Sequence, residues 1–296
     1  EILLAARTLI IAIGMKKNEK DSLLENVEEL KKITNSEWVK NLSTRKIKEL
    51  EFHDRDRNKS FVDEVKKSSD TFEKFYGNKK FYTITERSTQ YMQNWIKTNS
   101  KNKIFLDYAC GDGGLAIKAA KNGAKLSLGL DISNVSIQNA RKFAVENNIQ
   151  NVEFFQADAE NTKLPDNSID TIICSGMLHH LDLSFAFPEL RRILKPGGKI
   201  LAVEALDYNP LIKIYRMMTP DMRTEWEKAH ILSLKDVDFA SRFFKINSIK
   251  YWHITAYIGV KLTSLKPLLC KIDPFLERIP FLQRMGWMFT FELEKE

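Results

Sequence analysis

Three carboxylates, Asp107, Asp131 and Asp158, each stand at or near the end of a short apolar run, in LDYACGDGG (106–114), LGLDIS and FFQADAE. The first lies beside a glycine-rich turn. Glycines there let backbone amides approach a ligand closely, and the helix that should follow presents its N-terminus. A carboxylate leading into such a turn would repel a pyrophosphate and attract an ammonium group. As a dinucleotide fingerprint the frame is Ala109, Gly111 and Gly114, so the first glycine is missing. Asp131 can accept both hydroxyls of a ribose, a property shared with dehydrogenases, and Asp158 can accept from an adenine amino group.

A second set of residues could move protons or hold an acceptor. His179 and His180 follow a fourth apolar run in CSGMLHH. Imidazole can deprotonate a hydroxyl or an acidic carbon near neutral pH, and capping or packing the next helix is the alternative role. His53 and Asp54 lie in EFHDRDR (51–57), which reads as a loop between helical segments. At the end of KILAVEA stands Glu204, and after it come Tyr208, Asn209, Arg216, Thr219, Arg223 and His230. Arg216 and Arg223, with Met217, Met218 and Trp226 close by, would suit an acceptor that joins an anionic group to an apolar portion. Surface charges over a packed helix are the competing reading for these arginines.

The elements that must position these residues are legible from Lys103 onward. Short apolar runs alternate with helical stretches through KILAVEA, the signature of a doubly wound, mainly parallel sheet whose ligands bind outside the carboxyl ends of the strands. The Gly-Gly of LKPGGK reads as a turn before the fifth strand. FFKINSIKYWHI and WMFTFELE are two further strand-like runs. Ahead of Lys103, Leu23, Val27, Leu30 and Ile33 recur at helical spacing, and Trp38 with Leu42 suggests a second amphipathic segment.

The chain has 296 residues, 43% of them hydrophobic, with 12 Gly and 8 Pro, which excludes a collagenous or linker-like polymer. Three cysteines (Cys110, Cys174, Cys270) make no disulfide framework, and with 5 His they show no metal-ligand spacing. The expectation is therefore a reducing, cytoplasmic compartment and no metal. The net charge of +7 would suit a nucleic-acid partner, but basic residues are interleaved with acidic ones and form no stripe. Residues 2–14 (ILLAARTLIIAIG) resemble a signal core but are interrupted by Arg7 and have no basic lead-in, so residues 1–14 read as an upstream or non-native segment. In the C-terminal stretch Leu, Phe and Trp mixed with Lys and Arg suit either packing on the sheet or peripheral membrane contact.

Together the motifs from Lys103 to Glu204 resemble the class I S-adenosylmethionine-dependent methyltransferases, in particular the small-molecule branch related to the ubiquinone and menaquinone methyltransferases. The resemblance rests on LDYACGDGG, GLDIS, QADAE with LPDNSIDTI, GMLHHL and LRRILKPGGKI. It implies a Rossmann-like α/β fold with a doubly wound, seven-stranded, mainly parallel sheet. A helical cap would span 15–100 and a methyltransferase domain 101–296, with a lid insertion at about 205–240 after strand five. It further implies that Asp107, Ala109 and Gly111 line the methionine part of the cofactor, Asp131 and Ile132 its ribose, Asp158 and Ala159 its adenine, and Cys174 its inner edge. His179 or His180 becomes the candidate base, and His53, Tyr208, Arg216, Arg223 and His230 the candidate acceptor contacts. The absence of an Asn/Asp-Pro-Pro-Tyr/Phe pattern after the fourth run argues against amino-group methylation. The expected activity is methyl transfer to oxygen or carbon of a small or lipid-linked acceptor, in glycan or secondary-metabolite biosynthesis. An RNA methyltransferase and a non-catalytic partner subunit are the competing classes.

Overall fold

The computed structural model describes residues 19–296, so the segment 1–14 lies outside the described residues. Seven strands form one sheet: β1 (Ile104–Tyr108), β2 (Leu126–Asp131), β3 (Val152–Gln156), β4 (Ile169–Ser175), β5 (Leu194–Ala205), β6 (Lys245–Trp252) and β7 (Met288–Glu294). Their order is β3-β2-β1-β4-β5-β7-β6. The first five strands pair in parallel, and β7 runs antiparallel between β5 and β6. The order reverses next to β1, which opens a crevice at the carboxyl ends of β1, β2 and β4.

Side-chain alternation along the buried strands gives the sheet two covered faces. Ile104, Leu106 and Tyr108 join Leu23, Val27, Phe187 and Leu190 on one face, whereas Phe105 joins Trp95, Ile96 and Leu201 on the other. The helices are α1 (Glu19–Lys31), α2 (Asn35–Lys40), α3 (Thr44–Arg57), α4 (Lys59–Val65), α5 (Ser69–Tyr76), α6 (Glu86–Ser100), α7 (Gly114–Lys121), α8 (Asn134–Glu146), α9 (Leu183–Ile193), α10 (Pro210–Met218), α11 (Glu225–Ala229), α12 (Leu234–Ala240), α13 (Lys266–Leu276) and α14 (Pro280–Gln283). α1 is amphipathic at the spacing read from the sequence and sets Leu23, Val27 and Leu30 into the main core. α6 belongs to the layer that covers the sheet, through Trp95 and Ile96.

Two local readings change. EFHDRDR is not a loop: it forms the C-terminal half of α3, which Ser43 caps by accepting from the Lys46 amide. The residues of LKPGGK open β5 itself, where its register with β4 shifts between Ile169 and Thr171 and Gly197 takes a φ of +72°. The loop that leads into α7 is tight for a different reason. A Cβ on Gly113 would stand 2.6 Å from the Phe154 ring, at a φ of +78° that disfavours any side chain.

Candidate active site

A cleft enclosing about 120 Å³ opens over the carboxyl ends of β1, β2 and β4. Its floor includes Ala109, Gly111, Asp131, Ile132, Asp158, Ala159 and Gly176, and its roof is α3. Arg45, Glu49, His53 and Arg57 recur every four residues, so one face of that helix looks into the cleft, with Lys46 beside it.

Asp131 shapes the floor. Its two carboxylate oxygens accept from the amides of Gly111 and Ser133, each at 2.9 Å. Burial nevertheless raises its pKa, against the pull of those amides and of Arg57. A carboxylate has about four lone-pair sites, so two remain for a ligand's hydroxyls. Asp158 is differently engaged. Its Oδ1 accepts from the Glu160 amide, and its Oδ2 lies 2.6 Å from Lys46 Nζ, which also reaches Glu160 at 2.9 Å. Arg45 binds Glu160 at 2.5 Å and the His180 carbonyl at 3.0 Å, tying the roof to the floor.

Ala109, where the family pattern has glycine, takes a φ of +60°. The left-handed conformation costs a residue with a Cβ about 1–2 kcal/mol, part of which glycine gives back in unfolded-chain entropy. Ala109→Gly is therefore expected to raise the unfolding free energy by about 1 kcal/mol in urea melts. A lower stability in that variant would mean that the methyl group's packing outweighs the strain.

Two expected cofactor contacts do not reach the cleft. Asp107 is buried beneath the turn, and its Oδ2 accepts from the Ala116 amide at 3.1 Å. Burial pushes its carboxyl up to about 7, with the nearby Asp131 charge adding to the rise and the Ala116 amide opposing it. Cys174 points to the core face of β4, as do Ile172 and the Tyr108 ring of β1, and it is fully buried. The residues after it, Ser175, Gly176 and Met177, line the cleft instead.

The histidines form a cluster braced by glutamates. His180 lines the cleft, and its Nδ1 is 2.8 Å from Glu49 Oε2. Glu49 Oε1 is buried without a protein partner among the described residues. His53 also lines the cleft, with its ring centroid 4.7 Å from that of His180. Burial drives the His53 pKa well below the usual value, and the neighbouring His180 and Arg57 add to the fall. His179 stands behind this pair, with Nδ1 2.7 Å from Glu204 Oε2. Glu204, fully buried at the end of β5, also accepts from the amides of Met177 and Leu178 at 2.9 and 2.8 Å. Burial pulls the His179 pKa down, but the charge and hydrogen bond of Glu204 outweigh it and the net shift is upward.

Of the acceptor contacts expected from the segment after β5, three are used internally. The Tyr208 hydroxyl accepts from the Leu234 amide at 3.1 Å. Arg216 donates to the Leu206 carbonyl and pairs with Asp207 at 3.3 Å. Arg223 donates to the Thr219 carbonyl at 2.9 Å and approaches Glu227 at 3.5 Å. Neither arginine lines the cleft, because each is folded back on its own backbone. His230 stacks on Trp226 at 3.7 Å and lines a second, more open depression that shares Arg45 and Glu49 with this cleft. Arg45, Glu49 and Arg57, at four-residue spacing with His53, and Lys46 beside them are cleft residues that the sequence motifs do not single out.

Residues 106–202 match the family described as "Methyltransferase domain". A ubiquinone/menaquinone biosynthesis C-methyltransferase of Rickettsia bellii is 38% identical over 110 residues, 35% of this chain and 44% of that protein. A sterol 24-C-methyltransferase of Gibberella zeae is 33% identical over 130 residues, 43% of this chain and 34% of that protein. The chain thus spans less than half the length of these curated relatives. The structure of a geranyl diphosphate C-methyltransferase from Streptomyces coelicolor, solved with S-adenosyl-L-homocysteine, superposes with a TM-score of 0.53 at 14% identity, over 70% of this chain and 77% of that one. With this strand order and these motifs, residues 106–202 are similar to a methyltransferase domain, and the fold is that of S-adenosylmethionine-dependent methyltransferases of small molecules.

The residues present suit that cofactor. Asp131 keeps free lone pairs at the cleft floor for a ligand's hydroxyls, and Ala109 and Gly111 line the cleft beside it.

Proposed function

We propose that this protein transfers a methyl group from S-adenosylmethionine to a carbon or oxygen atom of a small or lipid-linked acceptor. One observation carries the reading: Asp131, Asp158 and the Glu49–His180 pair converge on a single cleft at the carboxyl ends of parallel strands. Bound S-adenosylmethionine supplies an electrophilic methyl group, so the protein's work is to align the acceptor and take its proton. Asp131 would hold the ribose hydroxyls. Ile132 would lie beside the ribose, and Asp158, shared with Lys46, and Ala159 would border the adenine.

His180 is the base in this scheme. With its Nδ1 proton donated to Glu49, the imidazole keeps a lone pair on Nε2 that can accept a proton from an acidic C–H or a hydroxyl. The partnerless Glu49 Oε1 offers a second acceptor to the same substrate. His179 serves as a positioning residue through Glu204, and the two relatives described above favour carbon as the methylated atom. Helix α3 acts as the roof over both ligands, and the segment at about 205–240 as a second wall through Trp226 and His230.

Methyl transfer from labelled S-adenosylmethionine to a panel of quinols, sterols and prenyl diphosphates tests this. His180→Ala is expected to lower turnover at saturating cofactor by roughly 10²–10⁴-fold, the usual contribution of a general base, while leaving cofactor affinity within about twofold. Full turnover in that variant would remove His180 from the chemistry.

A further inference from the structure

Large apolar side chains in this chain's described residues protrude from two segments near the cleft. On α10, Met217 and Met218 are 79% and 76% exposed, with Leu211 and Ile214 on the same outer side. Around α13 and α14, Phe275 and Phe281 are 67% and 83% exposed. Topology places both segments at one edge. α10 follows the carboxyl end of β5. Residues 253–287 leave the end of β6, which runs parallel to β5, and return into β7. Asn209, the cap of α10, binds them together by donating to the Met285 carbonyl at 2.6 Å and to the Tyr257 hydroxyl at 3.2 Å. The cleft opens at the same end of the sheet, over β1, β2 and β4.

The charge of these segments is one-sided. Residues 208–218 contain no carboxylate, and residues 253–287 contain only Asp273 and Glu277. Asp273 is buried, where it accepts from the Thr255 and Ala256 amides, and Glu277 forms a two-pronged pair with Arg87 at 2.8 Å. What remains outward beside the apolar residues is cationic: Lys261, Lys271, Arg278 and Arg284 are all exposed. Other surface lysines face carboxylates, as in Lys32–Glu29 and Lys228–Glu225, and Lys213 on α10 pairs with Asp207 just ahead of the helix.

We propose that this edge docks on an anionic lipid bilayer, with Met217, Met218, Phe275 and Phe281 entering the headgroup boundary and the cationic rim meeting the lipid charge. Protruding apolar groups framed by lysine and arginine are the composition of interfacial segments that bind reversibly. A second copy of the chain fits less well, because a two-fold interface would set the same cations against themselves. Docking in this pose turns the cleft mouth toward the membrane, where a lipid-linked acceptor would enter. The docking itself does not depend on the methyl-transfer reading, since its readout is partitioning and not turnover.

Vesicle sedimentation of the full chain decides it. Binding is expected to vesicles of phosphatidylcholine with phosphatidylglycerol, to weaken as salt rises, and to be much lower on phosphatidylcholine alone. The triple change Met217→Ser, Phe275→Ser, Phe281→Ser should reduce partitioning by roughly tenfold or more, with the thermal melt and S-adenosylhomocysteine affinity unchanged. Lys271→Glu with Arg278→Glu should lose the preference for anionic lipid. Equal partitioning of the triple variant, absence of vesicle binding, or a dimer in ultracentrifugation that the triple change dissolves would each overturn the proposal.

Discussion

Glu204→Ala is expected to lose about 3–5 kcal/mol of stability, the usual consequence of breaking a buried charged pair. The carboxylate accepts from the amides of Met177 and Leu178 and holds His179, and with no side chain there three donors are left in a site that water does not reach. Glu204→Gln keeps an oxygen for the amides but removes the charge, so it isolates the effect on His179. Without that charge burial prevails, and the His179 pKa, followed by NMR, should move down from its raised position. The sign for stability follows. Because the folded pKa of His179 is raised, its contribution is fully present below about pH 6.5, the unfolded value, and is lost as pH rises through the folded one. The stability gap between wild type and Glu204→Gln should therefore be wider at pH 6 than at pH 9. A gap that does not change with pH would separate Glu204 from the ionisation of His179.

Asp131→Ala should abolish measurable cofactor binding and also weaken the fold. Considered alone in the sequence, Asp131 is a ligand-binding carboxylate whose removal leaves stability nearly unchanged. The structure changes that expectation: both oxygens hold buried amides, and hydrogen bonds to charged groups contribute about 1.5–3 kcal/mol each. A loss of about 2–4 kcal/mol in urea melts should accompany the loss of affinity. Asp131→Asn separates the two roles. One amide bond survives through its carbonyl oxygen, so the fold should recover much of its stability while affinity stays at least roughly tenfold, about 1.4 kcal/mol, below wild type.

What could be read in the sequence follows from how each element earns its burial. β1 to β5 are short apolar runs buried on both faces, and glycine-bearing turns mark their ends, so strand positions and the doubly wound class were visible. The antiparallel β7 was visible only as a strand, since pairing across β5 and β6 leaves no local mark. Helix α3 was missed over 51–57 because hydrophobic periodicity finds faces that meet a core. The face carrying Arg45, Glu49, His53 and Arg57 meets a ligand cleft instead, and its stripe is polar. Cys174 was assigned to the cleft by resemblance, but strand alternation already sets it with Ile172 on the core face. Arg216 and Arg223 looked free because spacing cannot reveal that Leu206 and Thr219 offer carbonyls to them.

The central claim, that Asp131 and its neighbours form an S-adenosylmethionine site, is met most directly by titration calorimetry of the wild-type chain with S-adenosylhomocysteine, with NADH as control and Asp131→Asn alongside. Binding of S-adenosylhomocysteine in the micromolar range, about −8 kcal/mol, with none for NADH and the tenfold loss in Asp131→Asn, is the expected result. No binding of S-adenosylhomocysteine, or equal binding of NADH, would contradict it.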